Sequence, residues 1–125
     1  MNQKKQLETS EPGAARLVLS TFPDLECARQ IGTLLVDAQL IACINLIPAV
    51  ESIYRWEGEL RTDSEVLGIL KTSEFALSEL EQRFTEEHPY EVPEFLVFCP
   101  DSGSDAYLEW IKKSVKKEKI VRIIK

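Results

Sequence analysis

Cysteine is scarce in this chain of 125 residues, which contains only Cys27, Cys43 and Cys99. Three cysteines cannot all pair within one chain. No two of them have the CxxC spacing that a closed structural zinc site commonly uses, so we expect no such site. Cys43 and Cys99 are flanked by apolar residues, and we interpret all three cysteines as small buried side chains. Unpaired cysteines also favour a reducing compartment, and we expect the protein in the cytoplasm.

Long apolar runs, an excess of basic residues and familiar catalytic patterns are also missing. No run approaches the roughly 20 apolar residues of a membrane span. The 15 Lys and Arg residues against 21 Asp and Glu give a net charge of −6, which disfavours binding to nucleic acid. There is no Gly-rich phosphate loop, no HExxH motif and only one histidine, so no nucleophile–base pair is identifiable. We therefore expect the protein not to be an enzyme.

The negative charge is concentrated before residue 112. Residues 112–125 contain seven basic residues and one acidic residue, which leaves eight basic and twenty acidic residues in the first 111, a net charge of −12. A body of this sign attracts cations without selecting among them. We interpret the basic end as a solvated helix face followed by a tail.

The composition, with 44% hydrophobic and 29% charged residues, is typical of one globular domain. Residues 1–15 are polar and include Pro12-Gly13, so we expect them to form a flexible N-terminal tail. They lack the apolar segment of a signal peptide. Residues 16–125 are then expected to form a single domain.

Apolar periodicity divides this domain into strands and helices. We predict strands at residues 16–22, 41–47, 50–56, 60–72 and 94–99, a short edge strand at 120–124, and helices at 24–38, at 73–87 and from 105 onwards. The first run is typical of a strand that is buried on both faces. Pro48 predicts a bulge in the second strand, and Gly58 predicts a hairpin turn with positive φ. We expect Asp24, Ser73 and Asp105 to cap the three helices.

The order β-α-β-β-α-β-α describes the α+β ferredoxin-like fold, a split βαβ sandwich whose antiparallel sheet carries helices on one face. The hairpin supplies antiparallel neighbours, and we expect the two crossovers to join adjacent parallel strands. One helical layer leaves the other face of the sheet, which carries apolar side chains, without cover. We therefore expect the chain to associate with copies of itself.

Five segments occur in a specific order and spacing. They are Ala42-Cys43-Ile44-Asn45 with Pro48; Ser52-x-Tyr54-x-Trp56-x-Gly58; Glu65 leading to Lys71-Thr72; His88-Pro89-Tyr90-x-x-Pro93-Glu94; and Tyr107-Leu108-x-Trp110-Ile111. Over residues 17–114 the chain resembles the CutA family of divalent-cation tolerance proteins. The resemblance implies a fold related to that of PII signalling proteins. It also implies a tight homotrimer in which the long hairpins of neighbours complete each other's sheets.

The resemblance further implies a metal site. In some bacterial members of the family, copper is ascribed to a Cys in the first strand and two consecutive His before Pro-Tyr. These positions fall on Ser20, Glu87 and His88, so one of three ligands is retained. A hydroxyl is a poor ligand for a soft metal, and a Glu–His pair suits Zn, Cu(II) or Ni better. We expect a weakened divalent-metal site and no obligatory cofactor.

Some of these residues have a second interpretation. His88, the sole histidine, stands at the end of a helix, where it can cap or hydrogen-bond instead of binding metal. Tyr54 and Trp56 alternate with Ser52 on one strand face, which suits either an interface or stacking on a ligand.

Together with Tyr54 and Trp56, three further residues, Glu65, Lys71 and Tyr90, are assigned to one candidate cleft, which is either a ligand site or an interface. Lys71 can form an ion pair with Glu65 or bind an anion. Tyr90, together with Pro93, can fix the chain where the fourth strand begins.

Two functions are consistent with the sequence. The first is a trimeric protein of divalent-cation tolerance or response that binds the cations. The alternative is a structural or signalling trimer that binds a small anion or a partner protein in clefts between subunits, which rests on likeness to the PII shape.

Overall fold

The structure, a computed structural model, describes residues 11–117. Its elements are β1 (Ala15–Phe22), α1 (Leu25–Asp37), β2 (Cys43–Trp56), β3 (Glu59–Ser73), a 3-10 turn (Glu74–Ala76), α2 (Leu77–Glu87), β4 (Leu96–Phe98) and α3 (Asp105–Ser114). The predicted order of elements is confirmed. β4 is shorter than the predicted strand at 94–99, and the edge strand predicted at 120–124 lies outside the described residues.

The four strands form one sheet in the order β2-β3-β1-β4, and every neighbouring pair is antiparallel. This is the predicted ferredoxin-like α+β architecture. The expectation of adjacent parallel strands is wrong, because β3 lies between β1 and β2, and β1 lies between β3 and β4. Each crossover therefore joins two strands that are separated by a third.

One face of the sheet packs against α1 and α2. Burial alternates along β1, where Val18, Ser20 and Phe22 are buried and their neighbours are half-buried. Phe22 lies edge-on to Phe84 of α2, with ring centroids 5.9 Å apart. The prediction that the first strand is buried on both faces is therefore wrong for the single chain, because no comparable layer from residues 11–117 lies against its second face.

The second face of the sheet is apolar and is largely left uncovered by the described part of the chain, and we call it the apolar face. The strand register places these residues on it: Leu17, Leu19, Ile47, Leu67, Ile69, Leu96 and Phe98. Ile47, Leu96 and Phe98 leave 43%, 53% and 46% of their surface exposed. At one end α3 reaches this face, where Tyr107 lies beside Lys71 of β3, with 5.5 Å between the ammonium nitrogen and the ring centroid.

The predicted bulge is present in β2. The register of β2 on β3 shifts between Ile47 and Val50, after Pro48 has removed one backbone donor, and Ala49 adopts a positive φ of 62°. Because the side chains of a strand alternate, one extra residue exchanges the faces beyond it. Up to Ile47 the odd-numbered residues of β2 lie on the apolar face, and beyond the bulge the even-numbered ones do.

The hairpin that joins β2 to β3 has a two-residue turn at Glu57-Gly58. Glu57 has φ of 49° and Gly58 has φ of 81°, as predicted for the glycine. Positive φ at both central residues is the property of type I′ turns, whose twist matches that of paired strands. Beyond the bulge, Val50 to Trp56 pair with Glu65 to Glu59. Most residues of this part of the hairpin are exposed, so it projects beyond the core.

The helix caps follow the prediction at one helix of three. Asp24 accepts a hydrogen bond from the Cys27 N–H at 2.8 Å and caps α1. Ser73 makes no capping bond, because it is the last paired residue of β3 and precedes the 3-10 turn. Ser104 caps α3 in place of Asp105, accepting from the Tyr107 N–H at 3.3 Å. Asp105 is instead in the first turn, where its charge favours the helix dipole.

Ordered backbone begins before the predicted domain start at residue 16. The carbonyls of Pro12 and Ala14 accept hydrogen bonds from the backbone N–H groups of Phe75 at 2.9 Å and Glu74 at 2.8 Å.

The three cysteines are free, but Cys27 and Cys43 are only half-buried and Cys99 is exposed, so the expectation of three buried thiols is wrong. Cys27 lies in the first turn of α1, and Cys99 follows the edge strand β4, and neither place is enclosed.

Candidate functional site

His88 closes α2 and is enclosed by aromatic side chains. Its ring centroid lies 5.2 Å from that of Phe22, 5.1 Å from that of Phe84 and 4.7 Å from that of Tyr90, and 6% of the residue is exposed. Pro89 follows it and prevents the helix from continuing. The helix end thus places an imidazole inside the core and not on the surface.

Both ring nitrogens of His88 have protein partners. Nδ1 accepts a hydrogen bond from the Tyr90 backbone N–H at 3.1 Å, and Nε2 lies 2.8 Å from the carbonyl oxygen of Thr21. A carbonyl only accepts, so Nε2 carries the proton and donates it, which fixes the neutral tautomer. Burial lowers the pKa of His88, against smaller raising effects of the Thr21 carbonyl and the Glu65 charge. In this arrangement neither nitrogen is free to bind a metal ion.

The other two residues of the expected metal set have different surroundings. The Glu87 carboxylate is exposed and lies 3.5 Å from Nε of Arg83, one helical turn earlier. Ser20 is fully buried on the helix-facing side of β1, and its hydroxyl approaches the Thr21 carbonyl at 3.5 Å. Among residues 11–117, no three His, Cys, Asp or Glu side chains are grouped so that they could hold a metal ion. The set Ser20, Glu87 and His88 is therefore not a preformed site within one chain.

The structure does bring together four of the five cleft residues. Tyr54, Trp56, Glu65 and Tyr90 line a cavity of about 570 Å³ between the hairpin and the segment that follows α2. We call it the hairpin groove. The bulge in β2 sets its wall, because Tyr54 and Trp56 would otherwise lie on the opposite face of the hairpin.

Two tyrosine hydroxyls donate to carboxylates in this groove. The Tyr90 hydroxyl donates to Glu65 at 2.5 Å, and the Tyr54 hydroxyl donates to Asp63. Burial raises the pKa of Tyr90, and Glu65 raises it further. The hydrogen bond to Asp63 is the main reason that the pKa of Tyr54 is also raised. Both phenols therefore stay protonated and act as donors to charged acceptors.

Lys71 does not belong to the groove. It lies on β3 six residues beyond Glu65, about 20 Å away at the usual rise of a strand. Its ammonium group approaches the ring of Tyr107 instead. The predicted ion pair between Lys71 and Glu65 is wrong for this reason. Tyr90 does fix the segment before β4, through its bonds to His88 and Glu65.

Several groove residues escaped the sequence prediction, among them Asp63 and Arg61 of β3. Asp63 pairs with Ser52 and Arg61 pairs with Tyr54 across the hairpin, so both lie on the same face as Glu65. The signal was available in the two-residue spacing 61, 63, 65, because alternate residues of a strand share a face. Placing these residues opposite Ser52 and Tyr54 also requires a two-residue turn at residues 57 and 58, because the length of the turn sets the register of the two strands.

None of the helices in the described part of the chain has the length and apolar character needed to cross a membrane.

Comparisons with known proteins agree on one family. A family model described as "CutA1 divalent ion tolerance protein" matches residues 16–114. The divalent-cation tolerance protein CutA of Thermus thermophilus is 41% identical over 98 residues, which cover 78% of this chain and 95% of that protein. A chloroplastic CutA protein of Arabidopsis thaliana is 38% identical over 109 residues, which are 87% of this chain but 60% of that longer protein. The crystal structure of CutA1 from Oryza sativa superimposes with a TM-score of 0.80 at 36% identity, covering 83% of this chain and 95% of that one.

Proposed function

The chain belongs to the CutA1 divalent ion tolerance family, and from this membership we propose that it acts in the tolerance of divalent cations as a homotrimer that binds them. The family is described by ion tolerance and not by a reaction, so we propose a binding function without catalysis. Three free thiols support placing the protein in the reducing cytoplasm.

The proposed assembly into a homo-oligomer is supported by the apolar face. Leu96 and Phe98 of the edge strand β4 and Ile47 of β2 are about half exposed on it. Burial of apolar area contributes about 25 cal/mol per Å². Covering these exposed side chains with another copy of the chain is therefore favourable. The number of three copies comes from the family resemblance.

Light scattering on the intact protein tests the assembly. We expect a mass of about three times 14.2 kDa for the wild type. Phe98→Glu places a charge on the apolar face and should reduce that mass. Val97→Glu is the matched control, because Val97 is exposed to a similar extent, 43%, on the opposite face of the same strand. A monomeric wild type contradicts the proposal, as does an equal loss of mass in both variants.

Cation binding is proposed to be weak and to be completed between subunits. Of the expected set, Ser20 is buried and His88 has both nitrogens engaged, so only the Glu87 carboxylate is accessible. A single carboxylate binds a divalent ion poorly, and a higher affinity requires further ligands from an adjoining copy of the chain. The net charge of −12 over the first 111 residues supplies a general attraction for cations.

Calorimetric titration with Cu(II), Zn(II) and Ni(II) tests this part. We expect weak saturable binding to the wild type, weakened in Glu87→Gln. Glu86→Gln is the control, since it removes an adjacent exposed carboxylate that is not in the set. His88→Gln should bind as the wild type does if His88 only holds the fold. Absence of binding for all three metals contradicts the proposal, and loss of binding in His88→Gln alone contradicts the assignment of His88.

The alternative function, a trimer with a ligand in its clefts, is supported by one observation, the hairpin groove. Among the described residues that line it, Arg61 is the single cationic side chain, and Lys71 lies elsewhere. The groove thus supports a small-molecule ligand but disfavours the anion that we expected from the sequence.

A further inference from the structure

The hairpin groove has an aromatic wall. Tyr54 and Trp56 of β2 and Tyr90, which follows α2, all line it. Tyr54 leaves 38% of its surface exposed in the single chain, and the strand register places it at the hairpin end of the apolar face. Aromatic side chains offer a large apolar surface at low cost in side-chain entropy, and their faces attract cations.

The charge of the groove is negative. Within residues 11–117, four carboxylates line it, those of Asp63, Glu65, Glu91 and Glu94, against the one guanidinium of Arg61. Arg61 is partly neutralised by Glu59, at 3.8 Å. A ligand that enters the groove therefore meets a net negative field, which favours a cation over a neutral or anionic molecule of the same shape.

Two of the carboxylates are held in place by the aromatic wall itself. The hydroxyls of Tyr54 and Tyr90 donate to Asp63 and Glu65, each through one carboxylate oxygen. The second oxygen of each group is not used by these bonds. Rings and charges are thus fixed relative to each other before a ligand binds, which lowers the entropic cost of binding.

The size of the groove indicates that it fits an organic cation better than a metal ion. Its volume of about 570 Å³ is within the range of roughly 300 to 1,000 Å³ that is typical of small-molecule sites. The carboxylates do not converge, since no group of three such side chains in the described residues is placed to hold a metal ion. The groove therefore suits a cation with an extended apolar body.

We propose that the hairpin groove binds an organic ammonium ion, with the charged nitrogen at Asp63 and Glu65 and the apolar body against Tyr54 and Trp56. The site shares Tyr90 with the surroundings of His88 but does not use the Glu87 carboxylate or the imidazole itself. It goes beyond the proposed binding of divalent cations, and it requires the proposed assembly to leave the groove open at the hairpin end of the apolar face.

Calorimetric titration of the assembled full-length protein with three matched probes tests the sign of the ligand. Benzyltrimethylammonium supplies a cation on an aromatic body, benzyl alcohol is its neutral counterpart, and benzoate is its anionic counterpart. We expect the cation to bind at least tenfold more tightly than either of the others. Equal affinities for the cation and the alcohol would show that the charge is not recognised and would overturn the proposal.

Variants then locate the site. Trp56→Leu and Glu65→Gln should each weaken binding of benzyltrimethylammonium at least fivefold. Glu51→Gln is the matched control, because Glu51 is an exposed carboxylate on the same hairpin but on the opposite face. It should leave the affinity unchanged within a factor of two. Light scattering must give the same mass for each variant as for the wild type.

Two further results would overturn the proposal. An equal loss in Glu51→Gln and Glu65→Gln would show a diffuse attraction to an acidic surface in place of a site. Absence of binding by an intact oligomer would show that the groove does not take an organic ammonium ion in the assembled protein. Either result leaves the metal titrations and the mass of the wild type unaffected, so failure here is distinct from failure of the proposed function.

Discussion

Acidification from pH 6.5 to 5.0 should destabilise this protein through one residue, His88. The chain contains no other histidine, and Asp and Glu titrate mainly below this range. Burial lowers the pKa of His88 in the folded state, and both of its nitrogens are engaged in the neutral form. Protonation would place a second proton on Nδ1, which now accepts the Tyr90 N–H, and would break that hydrogen bond.

The sign and size of the effect follow from linkage. The unfolded chain binds a proton at His88 with a pKa near 6.5, whereas the folded chain does so at a lower pH. Stability is therefore fully present above about pH 6.5 and falls as the pH drops from there towards the lowered pKa. One proton gives a slope of at most about 1.4 kcal/mol per pH unit, so the loss between pH 6.5 and 5.0 is at most about 2 kcal/mol.

Urea unfolding at fixed protein concentration and ionic strength measures this loss. His88→Gln is the comparison: it should be less stable than the wild type, because partners of the imidazole are left unpaired, but should lose the slope between pH 5.0 and 6.5. An identical slope in both proteins would refute the reasoning. Should the variant not fold, NMR titration of the single imidazole gives its pKa directly, and a value at or above 6.5 would refute it equally.

Three further substitutions test local features by thermal or urea unfolding. Ala49→Gly should stabilise the protein by up to about 1 kcal/mol, because Ala49 has a positive φ that glycine adopts without strain; destabilisation would contradict this. Gly68→Ala should destabilise by about 1 to 3 kcal/mol, since a Cβ there would lie 2.7 Å from a ring carbon of the fully buried Phe22, and a neutral result would show that the ring can shift. Asp24→Ala should cost about 1 kcal/mol by removing the cap of α1, whereas Asp24→Asn should retain most of it.

The order of elements could be predicted from the sequence because its signals are local. Apolar periodicity, Pro48 and Gly58 each act within a few residues, and the bulge and turn occur where they were predicted. The order of strands in the sheet depends on contacts between distant segments. β1 pairs with β3 through partners such as Val18 and Leu70, and local periodicity carries no information about that choice. This is why adjacent parallel strands were wrongly expected.

In the candidate site, too, local relations could be predicted and contacts between distant segments could not. Tyr54, Trp56 and Glu65 could be placed together because a hairpin register relates them. The partners of His88 could not be predicted in this way. Its Nε2 donates to the backbone carbonyl of Thr21, which is 67 residues away in the chain, and a backbone carbonyl has no sequence signature. Lys71 was misplaced because six residues of an extended strand separate it from Glu65, which puts the two side chains far apart along β3.

The bulge after Ile47 also restricts how the length of the hairpin can change. The aromatic wall depends on the parity of residues between the sheet and the turn, since Tyr54 and Trp56 reach the groove only because one extra residue precedes them. Loss or gain of a single residue in this stretch would turn both rings to the opposite side, while a change of two residues in each strand would shift them along the same side. Homologous hairpins that keep the groove should therefore differ in length by even numbers of residues per strand, unless a second bulge compensates.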